Sequence, residues 1–192
     1  LDPKHHLPAD YPLVGDDYLD RLQDTYVEAA RLAARAGFDG VDVKSCHRYL
    51  VSELLASFTR EGKYGGSLEN RSRVLREVLG RVAAEVPGIF IATRMNVYDA
   101  IPHPYGFGVD RDDHRVPDLR EPIEVIGQLR GLGIPLLNVT IGNPYYNPHY
   151  GRPFDRPAAG LNPPEEHPLA GVVRFIQITR RIQEAFPDLP VV

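Results

Sequence analysis

Three short runs decide the fold: Val41-Asp42-Val43-Lys44, Ile91-Ala92-Thr93-Arg94-Met95-Asn96 and Leu137-Asn138-Val139-Thr140-Ile141. In an extended strand, alternate side chains face opposite sides. The first run separates Val41 and Val43 from Asp42 and Lys44. The second separates Ile91, Thr93 and Met95 from Ala92, Arg94 and Asn96. The third separates Leu137, Val139 and Ile141 from Asn138 and Thr140. Each strand therefore has one face suited to packing on helices and one that turns polar. A doubly wound sheet carries helices on both faces, so its strands read apolar throughout. A barrel carries helices outside only, and its interior can turn polar toward the C-terminal strand ends, where barrel enzymes hold their sites. The parity favours a barrel. The alternative is that Asp42, Lys44 and Arg94 form a buried ion network of structural use only.

The segments between these runs carry helical periodicity. Asp16 and Asp17 open a stretch with Leu19, Leu22, Tyr26, Ala29, Ala30 and Ala33 at helical spacing, and Gly37 suits its C-terminal stop. Tyr49 to Phe58 reads as a short helix. Ser67 reads as the N-cap of a helix running through Val74, Leu75, Val78, Leu79, Val82 and Val86 to Pro87-Gly88. Pro122 sits in the first turn of the next helix, with Ile123, Ile126, Leu129 and Leu132. A last helix, from about Pro168 to Ala185, puts Leu169, Val172, Val173 and Ile176 on one face, and residues 189–192 begin a fourth strand. Strands alternating regularly with helices predict an α/β fold with a parallel sheet. No Gly-x-Gly-x-x-Gly follows a strand, so a dinucleotide-binding open sheet is unsupported. A whole barrel needs about 250 residues and eight strands. The reading is a partial (β/α)8 barrel in one segment, 1–192, incomplete at both ends; the alternative is a complete small domain with frayed ends.

Composition narrows the function. The 192 residues carry 22 Lys and Arg against 26 Asp and Glu, a net charge of −4, which offers no footprint for a nucleic-acid backbone. No apolar run reaches the roughly 18 residues of a membrane span, and the opening LDPKHHLPADYP has no signal-peptide pattern. The single cysteine, Cys46, reads as a small buried residue and builds no disulfide within the chain. These features make the cytoplasm the default compartment and point to no nucleic-acid or membrane partner and no metal site. His5-His6 reads as a solvated loop. Tyr98, Tyr105 and Phe107 lie on one long loop, and Tyr145, Tyr146, His149 and Tyr150 on another. Aromatic loops of this kind line substrate pockets or make solvent or subunit contacts.

The stretch Ala36-Gly37-Phe38-Asp39-Gly40-Val41-Asp42-Val43-Lys44-Ser45-Cys46-His47-Arg48-Tyr49-Leu50, followed by Tyr64-Gly65-Gly66-Ser67-Leu68-Glu69-Asn70-Arg71, resembles the old yellow enzyme family. The resemblance implies an FMN-binding (β/α)8 TIM barrel, of which the chain covers about units four to six and the start of strand seven. It implies an NAD(P)H:flavin oxidoreductase, or ene-reductase, that reduces an α,β-unsaturated carbonyl or similar acceptor. After its fourth strand the family carries His-x-x-(His or Asn)-x-Tyr, with a Gly usual before the Tyr. Here the pattern reads Lys44-Ser45-Cys46-His47-Arg48-Tyr49. By resemblance, His47 hydrogen-bonds the acceptor oxygen and Tyr49 donates the proton. Lys44 stands where the family has its first His, and Arg48 where it has Gly. An ammonium aimed at the acceptor oxygen can still stabilise charge developing there, with less directional control than an imidazole. Arg94 matches the arginine that the family places beside the flavin pyrimidine. Tyr64 to Arg71 reads as structural, a Gly-Gly turn and a capped helix start.

The family's phosphate-binding loops follow its seventh and eighth strands, outside this chain. The isolated polypeptide is therefore expected to bind FMN weakly or not at all, and its two unpaired strand edges to favour self-association. Two other readings stay open. One is an inactive or assembly-only half-barrel, homo-oligomeric or otherwise. The other is a barrel enzyme using Lys44 as a Schiff-base lysine.

Overall fold

A computed structural model of the chain describes residue 8 and residues 10–154 and 166–192. The His5-His6 pair lies outside the described residues. The first helix, α1 (Asp16–Arg35), ends in a Schellman turn: Gly37, at φ 86°, donates its N–H to Ala34, and Phe38 donates to Ala33. The chain then enters β1 (Gly40–Ser45), α2 (Leu50–Leu55), α3 (Leu68–Arg71), α4 (Arg73–Glu85) and β2 (Phe90–Tyr98). It continues through α5 (Arg120–Gly131), β3 (Leu137–Ile141), α6 (Pro148–Gly151) and α7 (Pro168–Ala185).

The sheet is parallel, in the order β1-β2-β3, with Val43 beside Thr93 and Thr93 beside Leu137. Residues 190–192 extend it past β3. Leu137 donates to the Pro190 carbonyl at 2.9 Å and Val192 donates to the Leu137 carbonyl at 2.9 Å. Each new strand thus adds at the same edge, the progression of a barrel rather than of a doubly wound sheet. Val43, Ile91, Met95, Leu137, Val139 and Ile141 pack in one core with Leu19, Val27, Val78, Val82, Ile126 and Ile182 of the helices. Thr93 is buried in that layer and satisfies its hydroxyl on the Val43 carbonyl at 2.7 Å. On the opposite face Asp42, Lys44 and Arg94 are exposed and Asn138 is half-buried. The buried ion network weighed above is not formed. No ion pair joins these three residues, and Asp42 Oδ1 instead accepts the Arg94 backbone N–H at 2.7 Å.

Three local features depart from the sequence reading. The helix expected from Ser67 to Val86 divides at Ser72, whose hydroxyl donates back to the Leu68 carbonyl at 2.8 Å. The turn α6 interrupts what reads as one long loop. The apolar face of α7 is turned away from the core: Leu169 and Ile176 are 65% and 60% exposed, while Gly171, Ile178 and Ile182 are buried. Among the described residues no helix is long and apolar enough to cross a membrane.

The segment 64–71 ties these layers together. Ser67 caps α3 by accepting the Asn70 N–H at 3.3 Å. Gly65 lies so close to the Arg60 carbonyl that a Cβ would overlap it. The Tyr64 hydroxyl donates to Asp20 Oδ1 at 2.5 Å and so fastens α1 to this turn. Arg71, buried at 2% exposure, donates to the Gly66 carbonyl at 2.9 Å, the Leu55 carbonyl at 2.6 Å and Glu121 Oε1 at 2.7 Å. Its guanidinium also stacks 3.8 Å from the Phe58 ring centroid. One side chain therefore joins the end of α2, the Gly-Gly turn and the start of α5. Arg71→Met should cost about 3 kcal/mol, because two buried carbonyls lose their donor and Glu121 its partner. A urea midpoint unchanged from the parent chain would rule this role out.

Candidate active site

The site begins where β1 ends. Cys46 is buried, and burial pushes its thiol pKa up. His47 and Arg48 then take φ of 58° and 56°, a left-handed pair with no glycine. Such conformations cost of order 1–3 kcal/mol each and persist only when their surroundings enforce them. Tyr49 donates its N–H to the Cys46 carbonyl at 3.3 Å, closing the turn, and serves as N-cap residue of α2.

The Arg48 side chain supplies the enforcement. Its Nε lies 2.6 Å from Glu53 Oε1, and its Nη1 donates to the Tyr105 carbonyl at 2.8 Å. The same Nη1 is 3.6 Å from Asp99 Oδ2. Asp99 is buried, and accepts from Asn96 Nδ2 at 2.5 Å and from the Phe107 N–H at 2.8 Å. Burial pushes its carboxyl pKa up, while the Arg48 guanidinium and these hydrogen bonds oppose the shift. Arg48 thus joins α2, the end of β2 and the 99–107 loop to the turn that carries His47 and Tyr49.

The other wall comes from the chain after β3. Asn143 Oδ1 accepts the N–H groups of Tyr145 at 2.7 Å and Tyr146 at 3.1 Å. Gly142, at φ 74°, passes so close to Gly151 that a Cβ would fall 2.6 Å from the Gly151 nitrogen. That approach brings α6, and Arg152 after it, against the end of β3.

Lys44, His47, Tyr49 and Arg94 line one cavity of about 360 Å3, with Tyr145, Arg152 and Phe175 on the facing side. Lys44 and Arg94 are register neighbours across β1 and β2, and Asn138 of β3 follows Arg94. Lys44 Nζ sits 3.4 Å from the Tyr49 ring centroid, a cation–π contact. The Tyr49 and Tyr145 hydroxyls lie 3.2 Å apart, and that hydrogen bond raises the Tyr145 phenol pKa. Among the described residues no Asp or Glu lines the cavity. The His47 imidazole is held below its ordinary pKa of 6.5, first by burial and then by the charges of Arg94, Lys44 and Arg152. Sequence reasoning missed Arg48, Asp99 and Arg152. The first signalled itself by replacing a glycine in the family pattern; the other two carry no local signal. Of the loop aromatics, Tyr145 alone lines the cavity. Tyr98, Phe107 and Tyr150 are core residues, His149 is buried, and Tyr105 and Tyr146 are exposed elsewhere. Among the described residues no three His, Cys, Asp or Glu side chains gather as a metal site would require.

Comparison with known proteins places the chain. The sequence profile of the NADH:flavin oxidoreductase / NADH oxidase family matches residues 15–110, half of the chain. The chain is 26% identical over 176 residues to NADH-dependent flavin oxidoreductase iliE of Hypocrea jecorina, covering 88% of this chain and 38% of that protein. It is 38% identical over 84 residues to 12-oxophytodienoate reductase 1 of Oryza sativa subsp. japonica, covering 43% of this chain and 22% of that protein. Among solved structures it is similar to an old yellow enzyme homologue from Zymomonas mobilis. The TM-score is 0.62 at 25% identity, over 93% of this chain and 42% of that one. The chain therefore spans well under half the length of these relatives.

Two outcomes follow from the geometry. His47 should titrate below 6.5, as an NMR pH series with the resonance assigned by His47→Asn would report. Because folding favours the neutral ring, its contribution to stability is complete above about pH 6.5 and is lost as pH falls through that value toward the lowered folded pKa. Arg48→Gly relieves a left-handed conformation but strands the Asp99 carboxylate, so the net cost should be about 2 kcal/mol. A double-mutant cycle with Asp99→Asn should give a coupling of at least about 1 kcal/mol; additive effects would remove Arg48 from its role as a clamp.

Proposed function

The chain belongs to the NADH:flavin oxidoreductase / NADH oxidase family, and from that premise we propose that it is the acceptor-binding segment of a cytoplasmic FMN-dependent ene-reductase. NADH or NADPH is the electron donor and an activated C=C bond the acceptor. In this reading residues 1–192 form a single barrel segment, about units four to six, and the flavin phosphate is held by sequence outside it. The observation that carries the reading is the meeting of Lys44, His47, Tyr49 and Arg94 around one cavity at the C-terminal ends of parallel strands.

The residues present suit the cofactor. Arg94 offers an exposed guanidinium on the concave face, with no carboxylate partner among the described residues, and so can hold the electron-rich pyrimidine edge of FMN. Bound FMN would supply hydride transfer. The protein's own contribution is to the acceptor. Lys44 Nζ and a neutral His47 ring N–H donate to the carbonyl oxygen, where negative charge grows as the double bond is reduced. Tyr49 gives its phenolic proton to the α-carbon. The Tyr145 hydroxyl, 3.2 Å away, keeps the Tyr49 oxygen hydrogen-bonded as that proton leaves. Lys44 Nζ, 3.4 Å from the Tyr49 ring centroid, places its positive charge over the ring that becomes the phenolate.

With the flanking coding sequence restored, the protein should oxidise NADH or NADPH in the presence of FMN and cyclohexenone. Tyr49→Phe should lower turnover by on the order of 100-fold, and Arg94→Ala should weaken flavin retention. Absence of any FMN-dependent NAD(P)H oxidation would sink the assignment. A borohydride-reducible adduct at Lys44 would move it to Schiff-base chemistry instead.

A further inference from the structure

The cavity is cationic in a chain that is acidic overall. Lys44, Arg94 and Arg152 line it together with His47, and the chain carries a net charge of −4. Many cations elsewhere are paired closely, among them Arg60 with Asp16 at 2.6 Å, Arg71 with Glu121 at 2.7 Å and Arg81 with Asp24 at 2.8 Å. Lys44, Arg94 and Arg152 have no carboxylate partner among the described residues. Asp42, two residues before Lys44 on β1, accepts the Arg94 backbone N–H at 2.7 Å. The field of these three charges is registered by His47, whose imidazole they help to hold in its neutral form.

Two of the four basic groups have work in the reading above that does not need a charged acceptor. Arg94 faces the cofactor, and neutral His47 donates to a carbonyl oxygen. Lys44 adds a full charge where an uncharged ring would suffice for a neutral enone. Arg152 has no role in that reading and no carboxylate partner among the described residues. It lines the cavity just after α6, where Gly142 and Gly151 let that turn approach the end of β3 closely. A guanidinium presents paired N–H donors that match a carboxylate in two-point contact. The remaining lining includes Tyr49, Tyr145 and Phe175, aromatic surfaces suited to a planar conjugated molecule.

We propose that this cavity selects an acceptor bearing a carboxylate beside its activated double bond, with Arg152 binding the carboxylate and Lys44 adding to the attraction. The proposal rests on the ene-reductase reading for the word acceptor, but anion selection itself can be measured without cofactor. The probes are p-acetylbenzoate and its methyl ester, which share a ketone oxygen and a planar ring and differ in charge. Calorimetric titration of the full chain at low salt should show the acid binding at least about ten-fold tighter than the ester. Arg152→Gln should remove that preference, and Lys44→Gln should reduce it. Arg152 is exposed and makes no ion pair among the described residues, so circular dichroism of Arg152→Gln should match the parent. Equal binding of acid and ester, binding of neither, or a preference that survives Arg152→Gln would each overturn the proposal. So would displacement of the acid by inorganic phosphate at lower concentration, which would assign the site to a phosphate. If the acid is not preferred yet cyclohexenone is reduced, anion selection fails and the ene-reductase reading stands. If the acid is preferred but no flavin-dependent oxidation occurs, the ene-reductase reading fails while the anion site remains.

Discussion

Everything in this chain depends on keeping the helices to one face of a parallel sheet. Val43, Ile91, Met95, Leu137 and Val139 project to that face and are buried against α1, α4, α5 and α7. The period of two then leaves Asp42, Lys44 and Arg94 no choice of side. A slip of one residue in any strand would carry its apolar set out of the core and its polar set in. The hydrophobic layer thus fixes the register, and the register sets Lys44 beside Arg94. The chemistry of the cavity follows from packing on the opposite face.

The second constraint is the left-handed pair at His47 and Arg48. A strand running directly into a helix would not hold the side chains three and five residues after Lys44 in one cavity with it. Two residues at positive φ turn the chain sharply enough that Lys44, His47 and Tyr49 share one concavity. Glycine would adopt this turn without cost. Arginine adopts it because its side chain has three partners, on α2, on the 99–107 loop and at the end of β2. Exchanging glycine for arginine here trades backbone ease for a side chain that links the turn to its surroundings. The buried Asp99 is the other half of that exchange, since it gives the guanidinium a counter-charge that solvent does not screen.

Much of the fold was legible in the sequence because its determinants are local. Strand parity, the Ser67 cap, the glycine after α1 and the proline in α5 each act within a few residues. What escaped is what depends on distant partners. Arg48 and Asp99 are far apart in sequence, and nothing near either one names the other. Arg152 became part of the cavity through a backbone approach between Gly142 and Gly151, which no periodicity encodes. The division at Ser72 rests on one hydroxyl returning to a carbonyl, a choice that serine has anywhere in a helix. The four apolar residues of α7 were visible as a stripe, but a stripe does not say which side of the helix meets the sheet. Gly171 decides it in part, since a Cβ there would fall 2.8 Å from Pro153 Cγ.

Lys44 is where the cavity departs furthest from an ordinary enone site. An imidazole at this position would give one directed N–H and a charge that varies near neutral pH. Lysine gives a compact charge on a flexible stem and three donors that can rotate. The Tyr49 ring face, 3.4 Å from Nζ, restrains that flexibility and ties the ammonium to the proposed proton donor. The same charge acts on His47, which becomes harder to protonate with Lys44, Arg94 and Arg152 around it. The substitution therefore divides two tasks between two side chains. In the proposed reading the lysine keeps the positive charge, and the histidine, its pKa lowered by burial and the neighbouring charges, supplies the directional hydrogen bond. In that reading a neutral acceptor meets the ammonium only as a hydrogen-bond donor, whereas an anionic one also gains from its charge.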